Sequence, residues 1–133
     1  MNILAVIPAR GGSVRVPRKN IKKIGSLPLI AHTILAVKNS KLVSRLVLST
    51  DDQEIMDVAN EYGCETPFRR SKELAEDVDT ALVTIDAVNK CEEIYKEKYD
   101  AVLTLEPTCP FRTTETIDKC IKLMASSESI DSV

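Results

Sequence analysis

Between Pro8 and Asn20 the chain reads PARGGSVRVPRKN, four cations around two adjacent glycines with no acid among them. Such a loop has a recognisable chemistry. Gly11 and Gly12 let the backbone approach a ligand closely and turn its N–H groups inward. Arg10, Arg15, Arg18 and Lys19 surround that turn with mobile positive charge. Phosphate oxygens need many donors and charge neutralisation together, so the combination suits a polyphosphate. It is neither a Walker A loop nor a G-x-G-x-x-G turn. The plain alternative is a solvated basic loop.

Other chemistry-bearing residues are weaker candidates. Asp51 and Asp52 are paired carboxylates at a strand end; they fit a cap on the helix that follows better than a metal site. His32 falls on an apolar helix without an evident partner, which reads as structural. Cys64, Cys91, Cys109 and Cys120 form no C-x-x-C pair and no metal-like spacing with His32, as expected of reduced, mostly buried thiols in a cytosolic protein. Arg112 reads equally well as a substrate ligand and as an ion-pair partner fixing the loop 107–112.

The elements that must position these residues alternate between strand and helix. Asn2–Ile7 is a short apolar run expected to be a buried strand. Pro28–Val37 is expected to be a helix with the proline in its first turn, and Ser44–Thr50 a second strand. A helix follows from Asp51 and Asp52, with Ile55, Val58, Ala59 and Tyr62 on one face and Gly63 as its stop. Cys64–Phe68 is expected to form a short strand. Asp79 would cap a helix burying Ile85, Val88, Cys91 and Tyr95. Then come a strand at Ala101–Leu105, the loop 107–112, and a helix capped by Thr113 or Thr114 with Ile117, Cys120, Ile121 and Met124 inward. This order makes the fold α/β, a mainly parallel sheet with helices on both faces. In such sheets ligands bind beyond the carboxyl ends of the strands, where the glycine loop lies.

With 133 residues and 44% hydrophobic content, the chain is sized for one domain. Its net charge of −2 hides an asymmetry: residues 1–50 hold nine Lys or Arg and no acid, whereas the rest sums to −11. A small anion and a nucleic acid both fit a basic segment. The small anion fits better, because the cations cluster beside glycines and residues 1–50 contain no aromatic for base stacking. No apolar run is long enough for a membrane span or a signal peptide, so a soluble cytoplasmic protein is expected. Ser129–Val133 reads as the entry to one more strand, which makes the chain look like a fragment of something longer.

The segment IPARGGSVRVPRKNI resembles the N-terminal signature of the acylneuraminate cytidylyltransferases, the CMP-sialic acid synthetases. LVLSTDDQEI, FRRSKELAED and LTLEPTCPFRT resemble further segments of that family and occur in its order. The resemblance implies a Rossmann-like nucleotide-diphospho-sugar transferase fold, present as its N-terminal part, with residues 1–133 as a nucleotide-binding domain. It implies the reaction of CTP with a nonulosonic acid to give a CMP-sugar and pyrophosphate. It also implies Mg²⁺ or Mn²⁺, with ligands in a C-terminal part missing here, and a homodimeric full-length parent. Carried over by motif, Arg10 and Lys19 are the catalytic cations at the triphosphate. Ala9, Arg10, Gly11, Gly12, Ser13 and Asn20 are nucleotide-binding loop residues. Arg70 matches an arginine at the cytosine pocket, Thr80 or Ala81 falls near a family serine there, and Glu106 and Thr108 lie on the sugar side.

Two departures matter. The family loop usually reads G-S-K-G, whereas Val14 and Arg15 fill its last two positions here; Arg15 can supply the missing charge. The family motif Q-P-T-S-P-L-R carries Glu106 in place of glutamine and Cys109 in place of serine. Glutamine can donate to a sugar oxygen, while an ionised glutamate only accepts. Glu106 would also repel a sugar carboxylate, which makes the sugar the point of difference. Two function classes follow: a cytidylyltransferase present as its nucleotide-binding half, and a non-catalytic nucleotide- or sugar-binding module without a metal site.

Overall fold

The computed structural model describes residues 2–9, 21–71, 80–107 and 113–126. The expectations for Arg10, Gly11, Gly12, Ser13, Arg15, Arg18, Lys19, Asn20, Asp79, Thr108, Cys109, Arg112 and Ser129–Val133 lie outside the described residues. Among those described, three parallel strands form the main sheet: β1 (Ile3–Pro8), β4 (Arg45–Ser49) and β5 (Ala101–Thr104). Their order is β4-β1-β5, so β1 is central. It is accordingly buried on both faces, which is why its sequence is a continuous apolar run rather than an alternation.

Alternate residues of β1 serve two cores. Ile3, Ala5 and Ile7 face one side, packed with Ile30, Ile34 and Val37 of α1 (Leu29–Lys38) and Ile55 and Ala59 of α2 (Gln53–Glu61). Ile117 and Ile121 of α4 (Thr114–Ser126) join the same cluster. Leu4 and Val6 face the other side, against Val47 and against Ala87 and Cys91 of α3 (Thr80–Tyr95). Helices therefore cover both faces of a parallel sheet, as the strand–helix alternation predicts.

The capping signals work as their chemistry requires. Asp52 is the N-cap of α2, its Oδ1 accepting from Ile55 N at 3.1 Å. Gly63 ends that helix at φ 90°, with Gly63 N donating to Asn60 O and Cys64 N to Ala59 O. This is the paired closure of a Schellman motif. Thr113 caps α4, its Oγ1 accepting from Thr116 N at 3.1 Å.

Four expectations need correction. A small hairpin, β2 (Lys23–Ile24) with β3 (Leu27–Pro28), precedes α1 and turns at Gly25, φ 70°. Pro28 is held in that hairpin at ψ 151°, so it stands at the N-cap position and the helix begins at Leu29. His32 has a partner after all, its Nε2 lying 2.8 Å from Ile24 O and tying α1 to the hairpin. The strand expected at Cys64–Phe68 is a single bridge, Glu65 beside Val47; Pro67 has no N–H with which to continue a ladder. Finally, α3 buries Val83, Thr84, Ala87 and Cys91, while Ile85 is 56% exposed. Ile85 lies two residues from both Val83 and Ala87, about 200° around the helix from each.

Candidate functional site

Three carboxyl ends lie level at one edge of the sheet. Pro8 of β1 is in register with Ser49 of β4, and Val6 with Thr104 of β5. The next bonds continue both ladders: Ala9 N donates to Ser49 O at 2.9 Å, and Leu105 N to Val6 O at 3.0 Å. Ala9, only 1% exposed, thus continues the β1 ladder one residue beyond Pro8.

Arg70 reaches the same place from the chain beyond α2. Its backbone N donates to Thr50 O at 2.8 Å. Its side chain is buried and donates from Nη2 to Ser49 O at 2.6 Å and from Nε to Ser49 Oγ at 3.2 Å. A buried guanidinium needs such acceptors, because removing its charge from water without them is costly. Ser49 O therefore accepts from both Ala9 and Arg70, and two residues assigned to the nucleotide converge on one carbonyl. Sequence reasoning missed Ser49; the polar Ser49-Thr50 pair ending an apolar strand was the available signal.

On the other side of β1, Glu106 follows β5 and accepts at Oε1 from Thr80 Oγ1, 3.2 Å away. Thr80 opens α3, so the first turn of this helix sits over the carboxyl end of β5. One turn along, the Thr84 and Thr104 hydroxyl oxygens lie 3.0 Å apart, sharing a hydrogen bond. Of the expected site residues, then, the structure pairs Ala9 with Arg70 and Thr80 with Glu106, all at the carboxyl end of the sheet.

The remaining candidates resolve toward structural roles. Asp52 caps its helix, and no group of three or more His, Cys, Asp or Glu among the described residues could hold a metal ion. The described residues thus do not fit a metal centre. Cys64 and Cys91 are buried; burial pushes their thiols up to about 12 and about 11. They are poor nucleophiles. Among the described residues no helix is long and apolar enough to cross a membrane.

A family model described as cytidylyltransferase matches residues 4–132. The chain belongs to that family. The CMP-N,N'-diacetyllegionaminic acid synthase of Legionella pneumophila is 45% identical over 124 residues, covering 92% of this chain and 53% of that protein. A pseudaminic acid cytidylyltransferase of Campylobacter jejuni is 36% identical over 129 residues, covering 97% of this chain and 56% of its own length. This family member spans about half the length of the curated relatives it matches. Among solved structures, the CMP:2-keto-3-deoxy-manno-octonic acid synthetase complexed with CTP superposes with a TM-score of 0.80 at 19% identity, covering 98% of this chain and 50% of that one. A cytidylyltransferase from Leptospira borgpetersenii gives 0.73 at 24% identity, covering 97% and 51%. These two likenesses establish the fold.

Proposed function

We propose that this chain is the nucleotide-binding part of an enzyme that activates a nonulosonic acid with CTP, releasing pyrophosphate and forming the CMP-sugar. The observation that carries the reading is the convergence of Ala9 and Arg70 on Ser49 O, which holds Ala9 and a buried arginine at one strand end. The named relatives support the sugar class, since their names specify legionaminic and pseudaminic acids.

In this reading Ala9, Gly11, Gly12, Ser13 and Asn20 receive the nucleotide through backbone and short polar groups. Arg10 and Lys19 neutralise the triphosphate, and Arg70 and Thr80 border the cytosine. Glu106 and Thr108 face the sugar. The anomeric hydroxyl attacks the α-phosphorus: its O–P bond forms as the bond to the β-phosphate bridge breaks, pyrophosphate leaves with that electron pair, and the hydroxyl proton passes to solvent. Positive charge at the loop stabilises the oxygens as charge spreads over them. Mg²⁺ or Mn²⁺, when bound, would offset charge on the phosphates, with its ligands outside the described residues. The partners are CTP and the sugar rather than nucleic acid or membrane, the compartment is the cytoplasm, where CTP is available, and the full-length enzyme is a homodimer.

Calorimetric titration with CTP, using ATP as comparison, tests the binding. CTP should bind and ATP should bind more weakly; equal or undetectable binding of both defeats the reading. Arg10→Ala should weaken CTP by about 1.5–3 kcal/mol, the range for a hydrogen bond to a charged group. A pyrophosphate-release assay with a panel of nonulosonic acids then separates enzyme from binding module. CTP binding without pyrophosphate release, for this chain and for a longer protein containing it, is the module outcome.

A further inference from the structure

We infer that Phe68 is a positioning residue for Arg70: by fixing a one-residue slip in the chain beside β4, it delivers Arg70 rather than Arg69 to the nucleotide. This inference rests on the proposed function, in which Arg70 borders the cytosine. The segment 64–70 runs parallel to β4 and is tied to it at both ends. Glu65 N donates to Leu46 O and Leu48 N to Glu65 O, and Arg70 N donates to Thr50 O. Leu46 to Thr50 spans as many residues as Glu65 to Arg69, so an unbroken ladder would bring Arg69 N to Thr50 O. Arg70 N stands there instead. One extra residue therefore lies between the two ties, where Pro67 has no N–H for the rung to Leu48 O.

The side chains show the same slip. Alternate residues of a regular strand share a face, so Glu65, Pro67 and Arg69 would lie together. Glu65 does face the α3 side, where its Oε2 accepts from Tyr95 OH at 3.0 Å. Beyond Pro67 the alternation is reversed. Phe68 packs on the cluster of Leu4, Val6, Val47, Ala87 and Cys91, with Lys90 Nζ of α3 5.0 Å from its ring centre. Arg69 turns to the opposite face and donates to Gln53 Oε1 of α2 at 2.5 Å. Arg70 returns to the face of Phe68 and reaches Ser49 Oγ and Ser49 O. A one-residue slip exchanges the faces of every residue after it, so its position decides which arginine meets the strand end. Phe68, the one aromatic group of the segment 66–70, holds it there. Sliding back into register would take the ring off its core and put Arg69 in the place of Arg70.

The test measures CTP and tripolyphosphate binding by calorimetry on the whole chain. Tripolyphosphate carries the phosphates without the base, so misplacing Arg70 should weaken CTP and leave tripolyphosphate unchanged. In the native background Arg70→Ala should weaken CTP about tenfold, and Arg69→Ala should leave it unchanged. Phe68→Ala should weaken CTP about fivefold, and adding Arg70→Ala should cost little more, because the two changes remove one interaction. Phe68→Leu should show the same CTP-only loss at about twofold, and serves if Phe68→Ala does not fold. Unchanged CTP affinity in the Phe68 variants overturns the inference, as do additive losses in the double variant. So does a parallel loss of CTP and tripolyphosphate with a lowered melting temperature, which marks a purely structural ring. Arg70→Ala without effect on CTP overturns it while CTP binding, and with it the proposed function, stands. No CTP binding by the native protein defeats both.

Discussion

Buried side chains in this protein gain identity from the few polar atoms they reach. Arg70 is informative because its guanidinium ends on Ser49, and Cys64 because its buried thiol lies beside Glu65, donating to Glu65 O at 3.7 Å. The Cys64 thiol is pushed from an ordinary value of 9.0 to about 12, first by burial and then by the nearby Glu65 charge, with Lys38 opposing. For an acid whose folded value is raised, the unfolded chain loses its proton first, so native stability falls as pH rises between the two values. Urea unfolding should therefore show stability lost above pH 9, with a slope of up to about 1.4 kcal/mol per pH unit from this thiol. Cys64→Ala should flatten that slope; an identical slope in the variant would show that Cys64 does not titrate this way. A reduced, buried thiol was expected from the sequence, but not the groups that surround it. A cysteine after a helix-stopping glycine announces a turn, but its burial depends on β4 and α1 closing around it.

At the scale of elements, the signals that succeeded were those whose physics is local. Asp52 and Gly63 bracket α2 because an orphan N–H needs an acceptor and a left-handed residue needs no Cβ. Asp52→Ala should lower stability by about 1 kcal/mol. Gly63→Ala, at φ 90°, should cost about 1 kcal/mol or more. Urea midpoints check both, and a neutral Asp52→Ala would return that carboxylate to a ligand role. Signals that failed depended on packing. Ile85 belongs to an acceptable apolar series, yet the sheet selects the stripe through Val83, Ala87 and Cys91. The hairpin before α1 was also invisible, since its two-residue strands carry no periodicity and Pro28 reads naturally as a helix opener.

Over the whole molecule, charge is divided along the chain rather than evenly mixed, with residues 1–50 purely basic and the remainder strongly acidic. The fold does not keep these halves apart everywhere. Arg45 at the amino end of β4 pairs with Glu65 at 2.6 Å and with Glu97 at 2.9 Å, and stacks over the Tyr95 ring. This cluster, at the end of the sheet opposite the site, occupies one basic residue with acidic ones. The loop cations are the part of the basic segment that the proposed function uses. CTP affinity should accordingly fall as NaCl is raised from about 50 to about 500 mM, because the Debye length shrinks severalfold over that range. Salt-independent affinity would mean that contacts other than the loop charges dominate.

Composition and order by themselves determined the α/β class, the burial of the apolar strand β1, the caps of α2, and the family through four motifs in sequence. Each rests on information carried by neighbouring residues: periodicity, a side chain reaching its own backbone, or a contiguous string. Tertiary structure alone decided that Ser49 gathers Ala9 and Arg70, and that Thr80 stands against Glu106, 26 residues away. Parallel strands are joined by long crossovers, so residues level at the carboxyl end come from distant parts of the chain. Which of them touch depends on register and helix rotation, and these are set by the burial of Val6, Val47, Ala87 and Cys91 against one another.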